Sequence, residues 1–105
     1  MANDANAQVG VIGMAVMGRN LALNINDHGF KVAVFNRDPK LTDAAVKESG
    51  GKMVATSSLQ DLVGRLERPR KILMMIKAGA AVDQVMGDLQ PLLDTGDIVI
   101  DGGNS

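Results

Sequence analysis

Short apolar runs recur along the chain, and they lack the polar alternation of a strand with one exposed face. Four runs are clear, at residues 9–12, 32–35, 72–76 and 98–100, and most of them are rich in Val and Ile. A weaker run covers residues 53–56. Continuous apolar runs of this length are typical of strands covered on both faces, as in a parallel sheet. The pattern therefore predicts five strands, with the clear runs buried.

Helical spacing occupies the intervals between these runs. Gly18, Leu21, Ala22 and Ile25 lie at i, i+3, i+4 and i+7 and form one narrow face of small and aliphatic residues, and Gly29 is a typical helix stop. Further helices are predicted over residues 43–48 with a start near 39, over residues 58–66, and from residue 80 to 91. Strands that alternate with helices need crossover connections. We therefore expect an α/β fold with a doubly wound parallel sheet.

The composition fits one small domain without a metal centre or a disulfide framework. The chain has 105 residues, a formal net charge of −1, no Cys and a single histidine, His28. Disulfides and thiolate metal sites are thereby excluded, and one histidine leaves little for a zinc centre. A nearly neutral chain has no electrostatic reason to bind nucleic acid or an anionic membrane. We expect no metal, no nucleic acid and no membrane as partners.

Residues 1–8 are predicted to be a flexible polar lead-in, and residues 9–105 the single folded domain. The lead-in has neither the basic start nor the apolar segment of a signal peptide. No apolar run approaches the ~18 residues of a membrane span. The lack of Cys is compatible with a reducing compartment, so a cytoplasmic location is the expectation.

The first strand runs directly into a glycine-containing turn and then into the small-faced helix. This order, within a β-α-β unit, is the context in which such a turn binds a dinucleotide. Gly13 allows the tight turn, the small Ala15 lets the backbone approach a pyrophosphate, and Gly18 lets the helix lie close to the sheet. Ala15 stands where the usual pattern has its central glycine. A Rossmann-type cofactor site is therefore predicted at Gly13, Met14, Ala15, Val16, Met17 and Gly18.

The end of the second strand predicts which dinucleotide is bound. NAD-binding domains usually place an acidic residue ~20 residues beyond the glycines, on the ribose 2′-hydroxyl. Here Asn36 is neutral, and the guanidinium of Arg37 can donate several hydrogen bonds to a 2′-phosphate. Asp38 would repel such a phosphate, but its position before Pro39 favours a helix cap instead. These residues favour NADP over NAD.

Two more loops follow the carboxyl ends of predicted strands, the edge at which doubly wound sheets bind ligands. One contains Ile76, Lys77 and Ala78, and the other contains Asn104. Small residues there let a cofactor pass close to the backbone, and the Asn104 carboxamide can both donate and accept hydrogen bonds. On composition alone, both loops also fit ordinary turns.

Five segments make a set more specific than the glycine turn by itself: GMAVMGRNL at 13–21, NDHGF at 26–30, FNR at 35–37, KAG at 77–79 and GDIVIDGGNS at 96–105. With these segments, the chain resembles the amino-terminal part of the 6-phosphogluconate dehydrogenase family. The resemblance covers residues from about 8 to 105, and its last segment is the most specific.

The resemblance implies a role for each part of the site. The glycine turn would hold the phosphates of NADP, Asn36 and Arg37 would contact its 2′-phosphate, and residues 76–78 would lie beside the nicotinamide. Asn104 would contact both cofactor and substrate. The position after Arg37 is usually Thr or Ser in this family, so Asp38 is a departure that bears on selectivity for NADP.

The resemblance also implies the reaction of the whole enzyme, the oxidative decarboxylation of 6-phosphogluconate to ribulose 5-phosphate in the pentose phosphate pathway. In this family the catalytic lysine and glutamate, and the helical domain that makes the homodimer, belong to later sequence. We therefore expect a truncated domain that binds NADP without catalysing the reaction, and neither Lys77 nor His28 is assigned a catalytic role. The last strand, residues 98–100, is expected to be an exposed edge through which the isolated chain self-associates.

Two other functions remain open from the sequence. A β-hydroxyacid dehydrogenase of the 3-hydroxyisobutyrate type shares the glycine turn and the Asn-Arg pair, but such enzymes tend to be rich in Ser and Thr where this chain has residues 101–105. A non-catalytic nucleotide-sensing module would need no acid or base, but it usually keeps an acidic residue at the position of Asn36. Both are therefore less favoured.

Overall fold

Five parallel strands form one sheet in the part of the chain that the computed structural model describes, residues 7–77 and 79–102. The elements are β1 (Val9–Ile12), α1 (Val16–Asp27), β2 (Val32–Phe35), α2 (Pro39–Glu48), β3 (Val54–Ala55), α3 (Leu59–Gly64), β4 (Lys71–Met74), α4 (Ala80–Leu89) and β5 (Ile98–Asp101), with a short 3₁₀ turn at Gln90–Leu92. The spatial order is β3-β2-β1-β4-β5, and every pair is parallel. The predicted doubly wound α/β fold is confirmed.

The central strand, β1, is covered on both faces. Val11 is buried in one apolar layer together with Ala22 of α1. Ile12, whose side chain points the opposite way, is buried in a second layer with Leu62 of α3 and Leu89 of α4. Helices α1 and α2 thus cover one face of the sheet, and α3 and α4 cover the other.

Strand β4 and helix α4 end earlier than the apolar pattern predicts. The pattern carries β4 to residue 76, whereas the strand ends at Met74. The neighbouring strand β1 ends at Ile12. The Met75 N–H still donates to the Ile12 carbonyl at 2.7 Å, and this bond is the last one between the two segments. Helix α4 ends before Pro91, which lies in the 3₁₀ turn, because proline has no N–H with which to continue an α-helix.

The chain is already folded at the first residue described. The Ala7 N–H donates to the Arg65 carbonyl at 2.9 Å, and the Ala7 carbonyl accepts from the Glu67 N–H at 2.8 Å. These bonds make an isolated parallel bridge between Ala7 and Leu66, so α3 stops two residues before its predicted end. Ala7 is completely buried. The packed part of the chain therefore begins before residue 9.

Strand β5 lies at the edge of the sheet, and one of its faces is open. Val99 packs on the layer beneath α3 and α4, but Ile98 and Ile100 are 51% and 52% exposed. The prediction that this run is buried on both faces is wrong. Helices α3 and α4 pack on the same face, the one that carries Val99. Helices α1 and α2 pack on the opposite face over β1 and β2, away from β5.

A buried ion pair ties β4 to the turn that precedes β5. The Arg70 guanidinium lies 2.9 Å from the carboxylate of Asp97 and 3.2 Å from that of Asp94. The Asp97 side chain is 1% exposed, and its oxygens also accept the N–H groups of Arg70 at 2.7 Å and of Asp94 at 2.8 Å. Burial by itself would raise the pKa of Asp97, but these N–H groups and the guanidinium lower it from 3.8 to about 2.

Acid is expected to remove the stabilisation that Asp97 provides. Because the carboxyl has a lower pKa in the folded chain, the unfolded chain binds the proton first, and stability falls as the pH drops from 3.8 towards 2. Urea midpoints measured from about pH 5 down to about pH 2 test this. Asp97→Asn should be less stable near pH 5 and should show a shallower dependence on pH. Parallel curves for the two proteins would contradict the assignment.

Neither a membrane span nor a metal cluster is found in residues 7–77 and 79–102. No helix there has the length and apolar character needed to cross a bilayer. No three His, Asp or Glu side chains there come together as possible ligands of one ion. Those of the candidate cofactor residues that the structure describes lie at the carboxyl edge of the sheet.

Candidate cofactor site

The turn after β1 leaves no space for side chains at its two glycines. Gly13 has a φ of +100°, and a Cβ on it would lie 2.6 Å from the Met75 carbonyl oxygen. A Cβ on Gly18 would overlap the carbonyl oxygen of Gly13. The Gly13 N–H donates to the Phe35 carbonyl at 2.8 Å, which holds the turn against the end of β2. The roles that the sequence predicts for these two glycines, a tight turn and a close approach of α1, fit this geometry.

The amino terminus of α1 is open to an anion. Its N-cap residue is Ala15, which has no side-chain acceptor for the N–H groups of the first turn, and no acidic residue lies in that turn. Unpaired N–H groups and the helix dipole favour negative charge at such a position. Val16 and Met17 are 63% and 62% exposed, whereas Met14 is buried in the core. Of the predicted site residues in the turn, Met14 can therefore offer a ligand only its backbone.

The Asn36 side chain joins the glycine turn to the segment after β2. Its Oδ1 accepts the Met14 N–H at 2.8 Å, and its Nδ2 donates to the Asp38 carbonyl at 3.2 Å. Asn36 and Met14 are 22 residues apart in the chain, so nothing in the local sequence indicates the bond between them. Asn36 thus has a structural contact in addition to its position at the cofactor edge.

Arg37 and Asp38 have different surroundings. Arg37 is exposed, lines the cleft described below, and forms no ion pair with any residue in 7–77 or 79–102. The Asp38 carboxylate accepts the Lys40 N–H at 3.0 Å and caps α2, which has Pro39 at its start. The predicted cap is confirmed. The guanidinium is therefore available to a ligand, while the neighbouring carboxylate is engaged by a helix terminus.

A cleft of about 790 Å³ opens at this edge, between the turn after β1, the end of β2 and helix α4. Of the predicted residues, it is lined by Gly13, Asn36, Arg37 and Ile76. Its other walls come from the loop before α3, from the first turn of α3 and from α4, which sequence reasoning did not assign to the site: Ser57, Ser58, Leu59, Gln60, Ala81, Gln84, Val85 and Asp88. The loop before α3 also follows the carboxyl end of a strand, and that signal was available, but β3 is only two residues long.

The far end of the site is only partly described. Ile76 is half-buried at the cleft wall, and Lys77, which is exposed, is absent from its lining. The predictions for Ala78 and Asn104 lie outside the described residues. Met75 was not predicted as a site residue, yet a Cβ on Gly102 would lie 2.8 Å from its sulfur. The segment after β5 therefore passes close to the Met75 side chain, which follows β4.

A protein-family model described as the NAD binding domain of 6-phosphogluconate dehydrogenase matches residues 8–105. This chain belongs to that family. The match includes every residue predicted for the site, from Gly13 to Asn104. The resemblance inferred from the five sequence segments is confirmed.

Similar proteins named as decarboxylating 6-phosphogluconate dehydrogenases support the assignment. The one from Staphylococcus aureus is 58% identical over 99 residues, which are 93% of this chain and 21% of the relative. The one from Rattus norvegicus is 53% identical over 103 residues, 96% of this chain and 21% of the relative. A structure of Plasmodium falciparum 6-phosphogluconate dehydrogenase, solved without ligand, with its cofactor NADP⁺ and with its substrate 6-phosphogluconate, has a TM-score of 0.86 and 40% identity over 93% of this chain and 22% of that one. The chain thus spans about a fifth of these relatives.

More distant structures share the fold alone. An imine reductase from Aspergillus terreus has a TM-score of 0.79 at 17% identity, and a 3-hydroxyisobutyrate dehydrogenase from Mycobacterium tuberculosis has 0.79 at 18%. Each is covered by this chain over only about a third of its length. The alternative of a 3-hydroxyisobutyrate-type enzyme is therefore less supported than membership of the 6-phosphogluconate dehydrogenase family.

Proposed function

We propose that this chain binds NADP along the carboxyl edge of its sheet, as the cofactor-binding part of an NADP-dependent 6-phosphogluconate dehydrogenase. The observation that carries the proposal is the family match over residues 8–105, which coincides with a cleft at the turn after β1. The cleft has the size of a typical cofactor site, and its position at the carboxyl ends of parallel strands is the usual one.

The residues present fit the cofactor in two respects. The first-turn N–H groups of α1 would hold the pyrophosphate, since Ala15 provides no cap and the backbone at Gly13 and Gly18 is free of side chains. The guanidinium of Arg37 would hold the 2′-phosphate, because it lines the cleft without an acidic partner in the described residues. The chemistry that NADP supplies in such an enzyme is acceptance of a hydride.

In the whole protein, we place this domain in the oxidative decarboxylation of 6-phosphogluconate to ribulose 5-phosphate in the cytoplasm. Ile76, Lys77 and Ala78 are assigned to the nicotinamide side of the cofactor, and Asn104 to both cofactor and substrate. None of the 105 residues is assigned a catalytic role, so the chain by itself is expected to bind NADP and to leave 6-phosphogluconate unchanged. Measurable oxidation of 6-phosphogluconate by the isolated chain would contradict this division.

Arg37→Ala is expected to weaken NADP binding by about 10- to 150-fold, as loss of hydrogen bonds to a charged group worth ~1.5–3 kcal/mol would do. Binding of NAD, which has no 2′-phosphate, should change by less than about twofold. Calorimetric titration of both dinucleotides into the wild type and the variant tests the proposal. Lys71→Ala is the matched control, because it removes one positive charge at the amino end of β4, away from the carboxyl ends of the strands. Equal losses for NADP and NAD, or none, would refute the assignment of Arg37.

The exposed edge of β5 is the basis for a proposal about association. Within residues 7–77 and 79–102, no strand pairs with the outer side of Ile98, Val99 and Ile100, and the side chains of Ile98 and Ile100 are half exposed, a combination typical of strand-to-strand pairing. We propose that the isolated chain associates with a second copy of itself through this edge. We also propose that the whole enzyme is a homodimer. Sedimentation velocity over a range of concentrations should reveal dimers that the double substitution Ile98→Lys with Ile100→Lys abolishes. A wild-type chain that stays monomeric at high concentration would overturn the proposal.

A further inference from the structure

Asn36 has an orientation that its partners determine completely. Its Oδ1 lies 2.8 Å from the Met14 nitrogen, which is a donor, and its Nδ2 lies 3.2 Å from the Asp38 carbonyl oxygen, which is an acceptor. Exchanging the oxygen and nitrogen of the carboxamide would place donor against donor and acceptor against acceptor. The oxygen of Asn36 is therefore committed to the glycine turn, and one of its two N–H groups is committed to the segment that leads into α2.

This arrangement differs from the role that the family resemblance implies for Asn36, a contact with the 2′-phosphate. A residue that recognises a 2′-phosphate must direct donors at it, and Asn36 retains only one N–H for that purpose. Arg37, the next residue, offers a whole guanidinium that is unpaired in the described part of the chain. What Asn36 does through its short bond is to hold Met14, the residue immediately before the N-cap Ala15 of α1.

We propose that Asn36 is a positioning residue that holds the pyrophosphate cradle in place for any dinucleotide, while selectivity for NADP depends on Arg37. Asparagine suits this task because it supplies an acceptor for Met14 and a donor for the Asp38 carbonyl. Aspartate would keep the acceptor but would set a second oxygen against that carbonyl. The inference rests on the proposed function, since it assumes that a dinucleotide binds at this edge.

The test compares Asn36→Ala with Arg37→Ala in titrations with NADP and with NAD. Loss of one hydrogen bond that orders the cradle is expected to weaken binding of both dinucleotides by about five- to tenfold. The ratio of the two affinities should stay within about twofold of the wild-type ratio in Asn36→Ala, and should collapse in Arg37→Ala. Asn24→Ala, which removes an exposed carboxamide from α1, is the matched control and should alter neither affinity.

Amide hydrogen exchange gives a second readout that does not require a ligand. The Met14 N–H should exchange faster in Asn36→Ala than in the wild type, while amides in the centre of β1 should not. Asn36→Asp keeps the acceptor and should protect the Met14 N–H better than alanine does, and it serves as the folded comparison if Asn36→Ala unfolds. It should also bind NADP more weakly than NAD, since its charge repels the 2′-phosphate.

Each outcome separates the inference from the function on which it rests. A loss confined to NADP in Asn36→Ala would mean that Asn36 recognises the 2′-phosphate directly, and would overturn the inference. Unchanged affinities with unchanged Met14 exchange would overturn it as well. A wild-type chain that binds neither dinucleotide would refute the proposed function and the selectivity claim together, and Met14 exchange would then decide whether Asn36 holds the turn.

Discussion

Replacing Gly18 with alanine is expected to lower the free energy of unfolding by about 3 kcal/mol or more. The added Cβ would overlap the carbonyl oxygen of Gly13, which is a backbone atom and has no rotamer through which it could withdraw. Either α1 would have to move off the sheet, or the turn after β1 would have to open. Both movements would expose the apolar layer that includes Val11 and Ala22. The urea midpoint, measured by circular dichroism, reports the loss.

A second helical glycine provides the matched control for Gly18→Ala. Gly87 lies in α4, and a Cβ on it would meet no atom within 4 Å. Gly87→Ala should therefore stabilise the protein by about 0.5–1 kcal/mol, because alanine loses less conformational entropy than glycine when a helix forms. The two substitutions are chemically identical, so opposite signs isolate the contact with Gly13. Equal effects of the two would show that α1 does not approach the turn as closely as the structure has it.

Arg70→Ala is expected to destabilise the protein by about 3 kcal/mol, the lower end of the cost of breaking a buried ion pair by removing one partner. Asp97, 1% exposed, would lose the guanidinium that lies 2.9 Å away. The loss of stability should not be larger, because the backbone N–H groups of residue 70 and Asp94 would still donate to the Asp97 carboxylate. Urea unfolding near neutral pH measures the change in free energy.

Arg68 allows a direct comparison, because it also pairs with Asp94, at 2.9 Å, but on the surface. Its side chain is 69% exposed, so Arg68→Ala should cost less than about 1 kcal/mol. The Arg70 variant should also lose less stability than the wild type when the pH is lowered, since the pKa of Asp97 would rise towards its ordinary value. Similar costs for the two arginine substitutions would mean that burial of the Arg70 pair has no energetic consequence.

The sequence predicted the parts of the site that depend on neighbouring residues. Gly13 and Gly18 belong to one turn, and the cap at Asp38 depends on the proline that follows it. The walls of the cleft contributed by Gln60 and Gln84 were missed, because each residue reaches the cleft only after a crossover has carried its helix back over the sheet. Polar residues on a helix have no local pattern that distinguishes a cleft wall from a solvated surface.

The contact between Asn36 and Met14 is likewise not predictable from the local sequence. At the end of β2, its sequence context indicates only that the usual carboxylate is missing. The bond to Met14 requires β1 and β2 to pair in the register that sets Ile12 beside Phe35, which is a property of the assembled sheet. The same holds for the ion pair of Arg70 with Asp97, 27 residues away along the chain.

By itself, the sequence determined the order of strands and helices, the glycine turn and the family, because periodicity and turn chemistry are written in residues close together along the chain. Only the tertiary structure decided that β5 is open on one face, that the Met14 N–H donates to the Asn36 side chain, and that α4 forms a wall of the cleft. These features arise from strand register and from the hand of the crossovers, which bring distant residues together and which no local pattern encodes.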